Sequence, residues 1–237
     1  MKRTFVLIVI LLCISSLFSF AQSEIIATNF SSPELSDAVE ASGKWHVEDG
    51  SLVQEDTEEA MAIWSYPVKQ KGIMLYQFDL KYIDGGEDDF AGFGLHIGVD
   101  KPAKKRSWGN GKSVLLWLTY DPDQYGSPGF FAQIYTSNAN SKMGLNPEIH
   151  NSRNPLKDGD EYPIPELYLK EEYIESTIPV KMIIDLNTGI GKLYDPLDSS
   201  YYYSFYIGQE NIEGDYVSLR TNSLSVAIDN VVIKPVE

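Results

Sequence analysis

The stretch IMLYQFDLKY, residues 73–82, sends Met74, Tyr76, Phe78, Leu80 and Tyr82 one way and Gln77, Asp79 and Lys81 the other. A helix would scatter those apolar side chains around its circumference, whereas a strand gathers them on one face, so this period of two dictates a half-buried antiparallel strand. The same alternation predicts strands over 44–47, 51–54, 61–66, 93–99, 114–120, 130–136, 180–186, 191–194, 201–206, 216–221 and 225–233. Turn chemistry separates them: Asp49-Gly50, Asp84-Gly85-Gly86, Asn110-Gly111, Asp121-Pro122-Asp123 and Asn187-Thr188-Gly189. About a dozen short strands of this kind predict an all-β fold, an antiparallel two-sheet β-sandwich of the jelly-roll type. Pro33 behind Ser32 predicts one short helix. Residues 137–177 are polar, Pro-punctuated and without strand period, a long insertion that either covers something functional or hides an element. Within it, 165–173 reads as a short helix, with Leu167, Tyr168 and Leu169 touching the sandwich.

Lys2 and Arg3 precede the apolar run 5–12, and Ser19-Phe20-Ala21 offers small residues at both positions a signal peptidase reads. This predicts a signal peptide over 1–21 and one exported domain over 22–237, periplasmic or extracellular. The apolar stretch is too short for a membrane anchor and is broken by Ser15, Ser16 and Ser19, so no transmembrane segment is expected in the mature chain. Cys13, the single cysteine, would leave with it, taking thiol and disulfide chemistry out of the mature domain. The chain holds 19 Lys and Arg against 34 Asp and Glu, and loss of Lys2 and Arg3 takes its net charge from −15 to −17. Nucleic acid and anionic membrane are poor partners for such a field; cations, neutral glycans and basic surfaces fit it better.

The terminal stretch SLSVAIDNVVIKP, residues 223–235, sets an acid among apolar strand residues. An unbroken period of two puts Val226, Ile228 and Val232 on one face with Asn230, and Asp229 on the other beside Ala227 and Val231. A carboxylate in such a place is costly unless it is paired, hydrogen-bonded or ligates a cation.

WHVEDGSLVQ, the glycine-bearing AGFGLHIG, SVLLWLTYD, VKMIIDLNTG and the closing AIDNVVI together resemble the concanavalin A-like lectin and glucanase superfamily, including its LamG and family-16 glucanase-like members, over nearly all of the mature chain. The resemblance implies two curved sheets, a concave face that holds glycan and a structural calcium near the chain ends. In the glucanase-like members an aspartate of the terminal strand helps to bind that calcium, and Asp229 in IDNV matches it. Calcium takes several hard oxygen ligands; Asn29 and Asp49, in the N-terminal segment and the Glu48-Asp49-Gly50 turn, are the candidate companions of Asp229. The other reading of Asp229 is an edge aspartate hydrogen-bonded to a loop or solvated. Asp84, Glu87, Asp88 and Asp89 form a second acidic cluster that reads first as a solvated turn.

Retaining glycosidases need two carboxylates about 5 Å apart, which the glucanase-like families place on one strand face. The counterpart here presents Leu115, Trp117 and Thr119, with Asp121 at the turn. A-Q-I-Y carries Tyr135 where the jelly-roll alginate lyases have histidine, and His46, His96 and His150 lack metal-ligand spacing. Binding is better served. With Leu95, Ile97, Val114, Leu116, Leu118, Ala132 and Ile134 pointing into the sandwich, His96, Trp117, Thr119, Gln133 and Tyr135 share the opposite face, and Trp108 in the preceding hairpin overhangs it. Flat rings with hydrogen-bonding neighbours suit the apolar face and the hydroxyls of a sugar. Trp117 and Tyr135 also read as ordinary strand formers beneath the long insertion. The expectation is a secreted, non-catalytic carbohydrate-binding sandwich. A carbohydrate-active hydrolase or lyase with acids on loops, and a structural or adhesive envelope protein, are the alternatives.

Overall fold

The computed structural model describes residues 26–31, 40–103, 111–124, 127–137, 143–145, 174–196, 198–200 and 202–236. Fifteen strands run in chain order as β1 (Ile26–Thr28), β2 (Glu40–Ser42), β3 (Trp45–Glu48), β4 (Ser51–Gln54), β5 (Ala62–Gln70), β6 (Ile73–Gly85), β7 (Gly92–Val99), β8 (Ser113–Gln124), β9 (Ser127–Ser137), β10 (Met143–Leu145), β11 (Thr177–Asp185), β12 (Ile190–Tyr194), β13 (Tyr202–Tyr206), β14 (Gly214–Asn222) and β15 (Leu224–Pro235). The first sheet has the order β13-β12-β11-β6-β15-β4-β3, with β1 added to β15; the second has the order β10-β9-β8-β7-β14-β5-β2. All pairings are antiparallel, and the two sheets make the sandwich that the alternation predicts. The signal segment, the helix at Pro33 and the helix over 165–173 lie outside the described residues.

Alternation carries the core. Met74, Tyr76, Phe78 and Leu80 of β6 meet Phe93, Leu95 and Ile97 of β7 in one cluster that also takes Val226 and Ile228 of β15. Each such side chain contributes about 1.5–3 kcal/mol on leaving water. Two buried glutamines tie the sheets across this apolar layer. Gln54 of β4 donates to Thr221 Oγ1 of β14 at 3.2 Å, and the Oε1 of Gln70 accepts from Tyr76 of β6 at 2.9 Å and from the Gly98 amide at 3.2 Å. At one end Tyr82 stacks on Tyr120, 4.9 Å between centroids and 11° between planes, with Phe130 edge-on to both.

Two expectations are corrected. Asp121-Pro122-Asp123 is not the turn, because β8 runs on to Gln124. The unbroken parity of the terminal strand also fails. Between Asp229, opposite Asp79, and Val232, opposite Gln77, β15 spends one residue more than β6, a β-bulge. The face therefore flips: Val226 and Ile228 are buried before it, Val231 and Ile233 after it, and Val232 is only half-buried. Asn230 takes the left-handed conformation, φ 50°, which Asn tolerates better than other non-glycine residues. Its amide donates to Asp229 Oδ1 at 2.6 Å, and its side-chain Nδ2 to Asp79 Oδ2 at 2.7 Å.

Asn230→Val forces a β-branched residue into that conformation and removes the bond to Asp79, so urea unfolding should show a loss of about 2 kcal/mol. Asn230→Gly, which accepts the backbone, should lose less. Equal midpoints for both variants and the parent would show that the bulge is not held by this residue.

Candidate functional site

The outward face of the second sheet is assembled from β5, β14, β7, β8 and β9. Cross-strand register sets Ile63, Arg220, Gly94, Trp117 and Gln133 in one row, and Ser65, Ser218, His96, Leu115 and Tyr135 in the next. Strand parity thus brings together His96, Trp117, Thr119, Gln133 and Tyr135 as expected from their alternation; Trp108 lies outside the described residues.

Glycine makes room for the tryptophan. A Cβ on Gly94 would sit 2.4 Å from Trp117 Cε3, and one on Gly92 2.7 Å from its Nε1, so the indole occupies the space that two side chains of β7 would fill. Trp117 is only 4% exposed and clusters with Met61, Leu115 and Tyr135, apart from the main core. Beside it Thr119 Oγ1 donates to Gln133 Oε1 at 2.9 Å and Tyr135 OH donates to the same oxygen at 2.6 Å. Two hydroxyls therefore fix the amide of Gln133, which with Tyr135 is half-buried, while Thr119 and His96 are buried. Burial raises the pKa of the Tyr135 hydroxyl, keeping it a neutral donor.

The centre of the face is polar and dry. His96 Nε2 lies 2.9 Å from Ser113 Oγ, and Ser65 Oγ lies 2.8 Å from Ser218 Oγ. Arg220 is fully buried, and burial brings its pKa down to about 10. Burial first, and the Arg220 charge second, hold His96 well below the ordinary histidine range, so its imidazole is neutral. Arg220 and Ser218 escape the sequence reading. Their parity, shared with Asn222, is visible in the alternation, but nothing local reveals that β14 lies between β5 and β7. Asp121 continues the Thr119 parity, opposite Gly129, and its Oδ1 accepts the Asp123 amide at 2.9 Å.

A partly open cavity of about 60 Å³ lies between the sheets, against Phe78, Leu95, Leu118, Ile134, Val180 and Phe205, and its lining also takes in Trp117 and Gln133.

The candidate calcium residues sit where β15 changes partners. β4 pairs with β15 up to Ile228 and β1 pairs from Val231, so Asp229 lies between the turn carrying Asp49 and the segment carrying Asn29. Asn29 Oδ1 accepts the Ser31 amide at 3.2 Å. Among the described residues no three His, Cys, Asp or Glu side chains come together closely enough to hold a metal ion. Asp229 and Asp79 supply two carboxylates, each accepting from Asn230, and calcium at this bulge would draw most of its shell from main-chain carbonyls and water. In the acidic hairpin Asp84 and Asp88 accept the Gly85 and Phe90 amides of their own turn, both at 2.8 Å.

No protein-family model and no curated protein sequence matches the chain. Solved structures do. The CBM66 carbohydrate-binding module from Bacillus subtilis is similar at 12% identity over 91% of this chain and 98% of its own, with a TM-score of 0.51. A protein with a galectin-like fold from Bacillus subtilis is similar at 13% identity over 90% and 96%, TM-score 0.51, and the carbohydrate recognition domain of Emp47p at 13% over 89% and 94%, TM-score 0.50. The fold is a lectin-type jelly roll. At these identities the likeness is one of fold.

His96 gives the face a pH signature. The unfolded chain takes up a proton near the ordinary value of 6.5 while the folded chain, with its histidine pKa depressed, does not. Stability should therefore fall as the pH drops below about 6.5, by at most about 1.4 kcal/mol per unit. Comparing urea midpoints of the parent and His96→Gln between pH 7 and 5 should give a shallower slope in the variant; identical slopes would place the acid sensitivity elsewhere.

Proposed function

We propose that this is an exported, non-catalytic carbohydrate-binding domain that holds a neutral or weakly basic glycan against the outward face of its second sheet. The observation that carries the reading is the Thr119-Gln133-Tyr135 network. Because two hydroxyls donate to Gln133 Oε1, its Nε2 is left to donate to a sugar hydroxyl, and Tyr135 adds a ring edge beside the Trp117 cluster. Gln133 and Tyr135 make the contact, while Thr119 holds the Gln133 amide and Trp117 packs against Tyr135. The similar solved domains, a carbohydrate-binding module and a carbohydrate recognition domain, point the same way. Supporting the non-catalytic part is that β8 sets Leu115, Trp117 and Thr119 where a glycosidase of this architecture needs its acids. A glycan array probed with the mature domain should give retention, and Gln133→Ala should weaken the best hit about tenfold, the scale of one lost hydrogen bond, with unchanged circular dichroism. Release of reducing ends from that glycan would overturn the non-catalytic reading, and an array with no retained glycan would overturn binding.

We further propose a calcium ion at Asp229 and Asp79. What supports it is that two carboxylates pair directly across the strands, an arrangement that repels unless donors or a cation lie between them. A ligand bound only to the folded state stabilises it by mass action. Chelator should thus lower the melting temperature, and Asp229→Asn should remove that response; a melt indifferent to calcium and chelator would leave Asn230 alone as the bridge.

A further inference from the structure

We propose that the outward face of the first sheet is a second binding surface, separate from the first, that takes an extended polysaccharide bearing uronate groups. Three observations converge there. Lys181 holds its ammonium 4.5 Å from the centroid of the Tyr194 ring, Lys192 holds its own 4.4 Å from that of Tyr202, and the two rings lie 5.8 Å apart. Ile73, Ile190 and Tyr202 on the same face are 44%, 37% and 46% exposed, so the platform presents apolar surface to water. The third is charge. One cross-strand row runs Ser204, Lys192, Ile183, Leu75, Lys234; beside it Tyr202, Tyr194, Lys181, Gln77 and Val232 follow one another, so the two rows hold three lysines and no acid. In a chain with 34 acidic residues this is a local reversal of sign. Among the described residues neither Lys181 nor Lys192 is in an ion pair. The rows on either side carry acids, Asp185 beside Ile73 and Ile190 and the cross-strand pair Asp79 and Asp229 beyond Gln77, so the lysine rows form a basic band between acidic margins. Asp185 accepts from Asn187 and Thr188 of its own turn, and Asp79 and Asp229 accept from Asn230.

The occupant follows from spacing and field. Strands lie about 4.8 Å apart, close to the rise of one sugar in an extended polyuronate chain, so a polysaccharide laid across the strands sets about one ring on each. Its apolar ring faces rest on tyrosine and isoleucine, and its carboxylates reach the ammonium groups. Densely charged polymers such as nucleic acid, with one charge per about 1.7 Å, are repelled by the net charge of the domain. A polyuronate carries one charge per sugar, roughly a third of the duplex density, and at physiological salt, where the screening length is only about 8 Å, it is read by the nearest charges.

The test is titration of immobilised polygalacturonate with the intact mature domain at 0.15 M salt in chelator, which removes calcium bridging at Asp229. Binding should be saturable, absent on neutral dextran, and abolished at 1 M salt, where screening shortens to about 3 Å. Lys181→Gln with Lys192→Gln should weaken it about tenfold. Lys181→Arg with Lys192→Arg should restore it, and Gln133→Ala should leave it unchanged, which separates this surface from the other sheet. The proposal is overturned by a parent that ignores polygalacturonate, by a Gln double variant that binds as well as the parent, or by equal retention on dextran sulfate or single-stranded DNA, which would mark plain polyanion adhesion.

Discussion

The inserted residue at Asn230 governs how the first sheet closes. Upstream of it β15 turns even-numbered residues inward; downstream it turns odd-numbered ones inward, so Val226, Ile228, Val231 and Ile233 all reach the core of one sandwich. Without the extra residue, Val231 and Ile233 would face water and the half-buried Val232 would have to pack in their place. β1 depends on the same step, since Ile26 pairs with Ile233 and both are buried. One asparagine in a left-handed conformation thereby decides whether the N-terminal strand has a core to join.

Much of this architecture is legible in the sequence because alternation is a local signal. Every strand that the period of two predicts is present, within a few residues at its ends. β1, β2 and β10 are missed because three residues cannot display a period. Pro122 misleads for a different reason. Beyond Thr119, which faces Gly92, β8 pairs only with β9, so a proline there has an unpaired side on which its missing N–H costs nothing, and the strand continues through what reads as a turn. The bulge in β15 is hidden as well, since a side-chain pattern cannot announce that one residue will be skipped.

The outward face of the second sheet divides along the same line. That His96, Trp117, Thr119, Gln133 and Tyr135 share a side follows from parity within three strands. That Trp117 is buried does not, because the room for its indole comes from Gly92 and Gly94 on the neighbouring strand, and only register reveals that they lie beneath it. Arg220 is less legible still, as it reaches Gly94 from a strand more than a hundred residues away in sequence.

The two outward faces solve opposite physical problems. On the second sheet the side chains are withdrawn from water and held by one another, so the orientation of the Gln133 amide is fixed before anything arrives, and little ordering entropy is left to lose on contact. On the first sheet the lysines lie half-buried along tyrosine rings of which only Tyr202 is exposed, and a surface ammonium can leave its ring at small cost. The first arrangement favours discrimination among hydroxyl patterns and the second favours loose adhesion to a repeating polymer. On the two proposals together, one face would hold a neutral glycan and the other an extended polyuronate, with the sandwich core keeping the two surfaces about a sheet-packing distance of 10 Å and two side-chain layers apart.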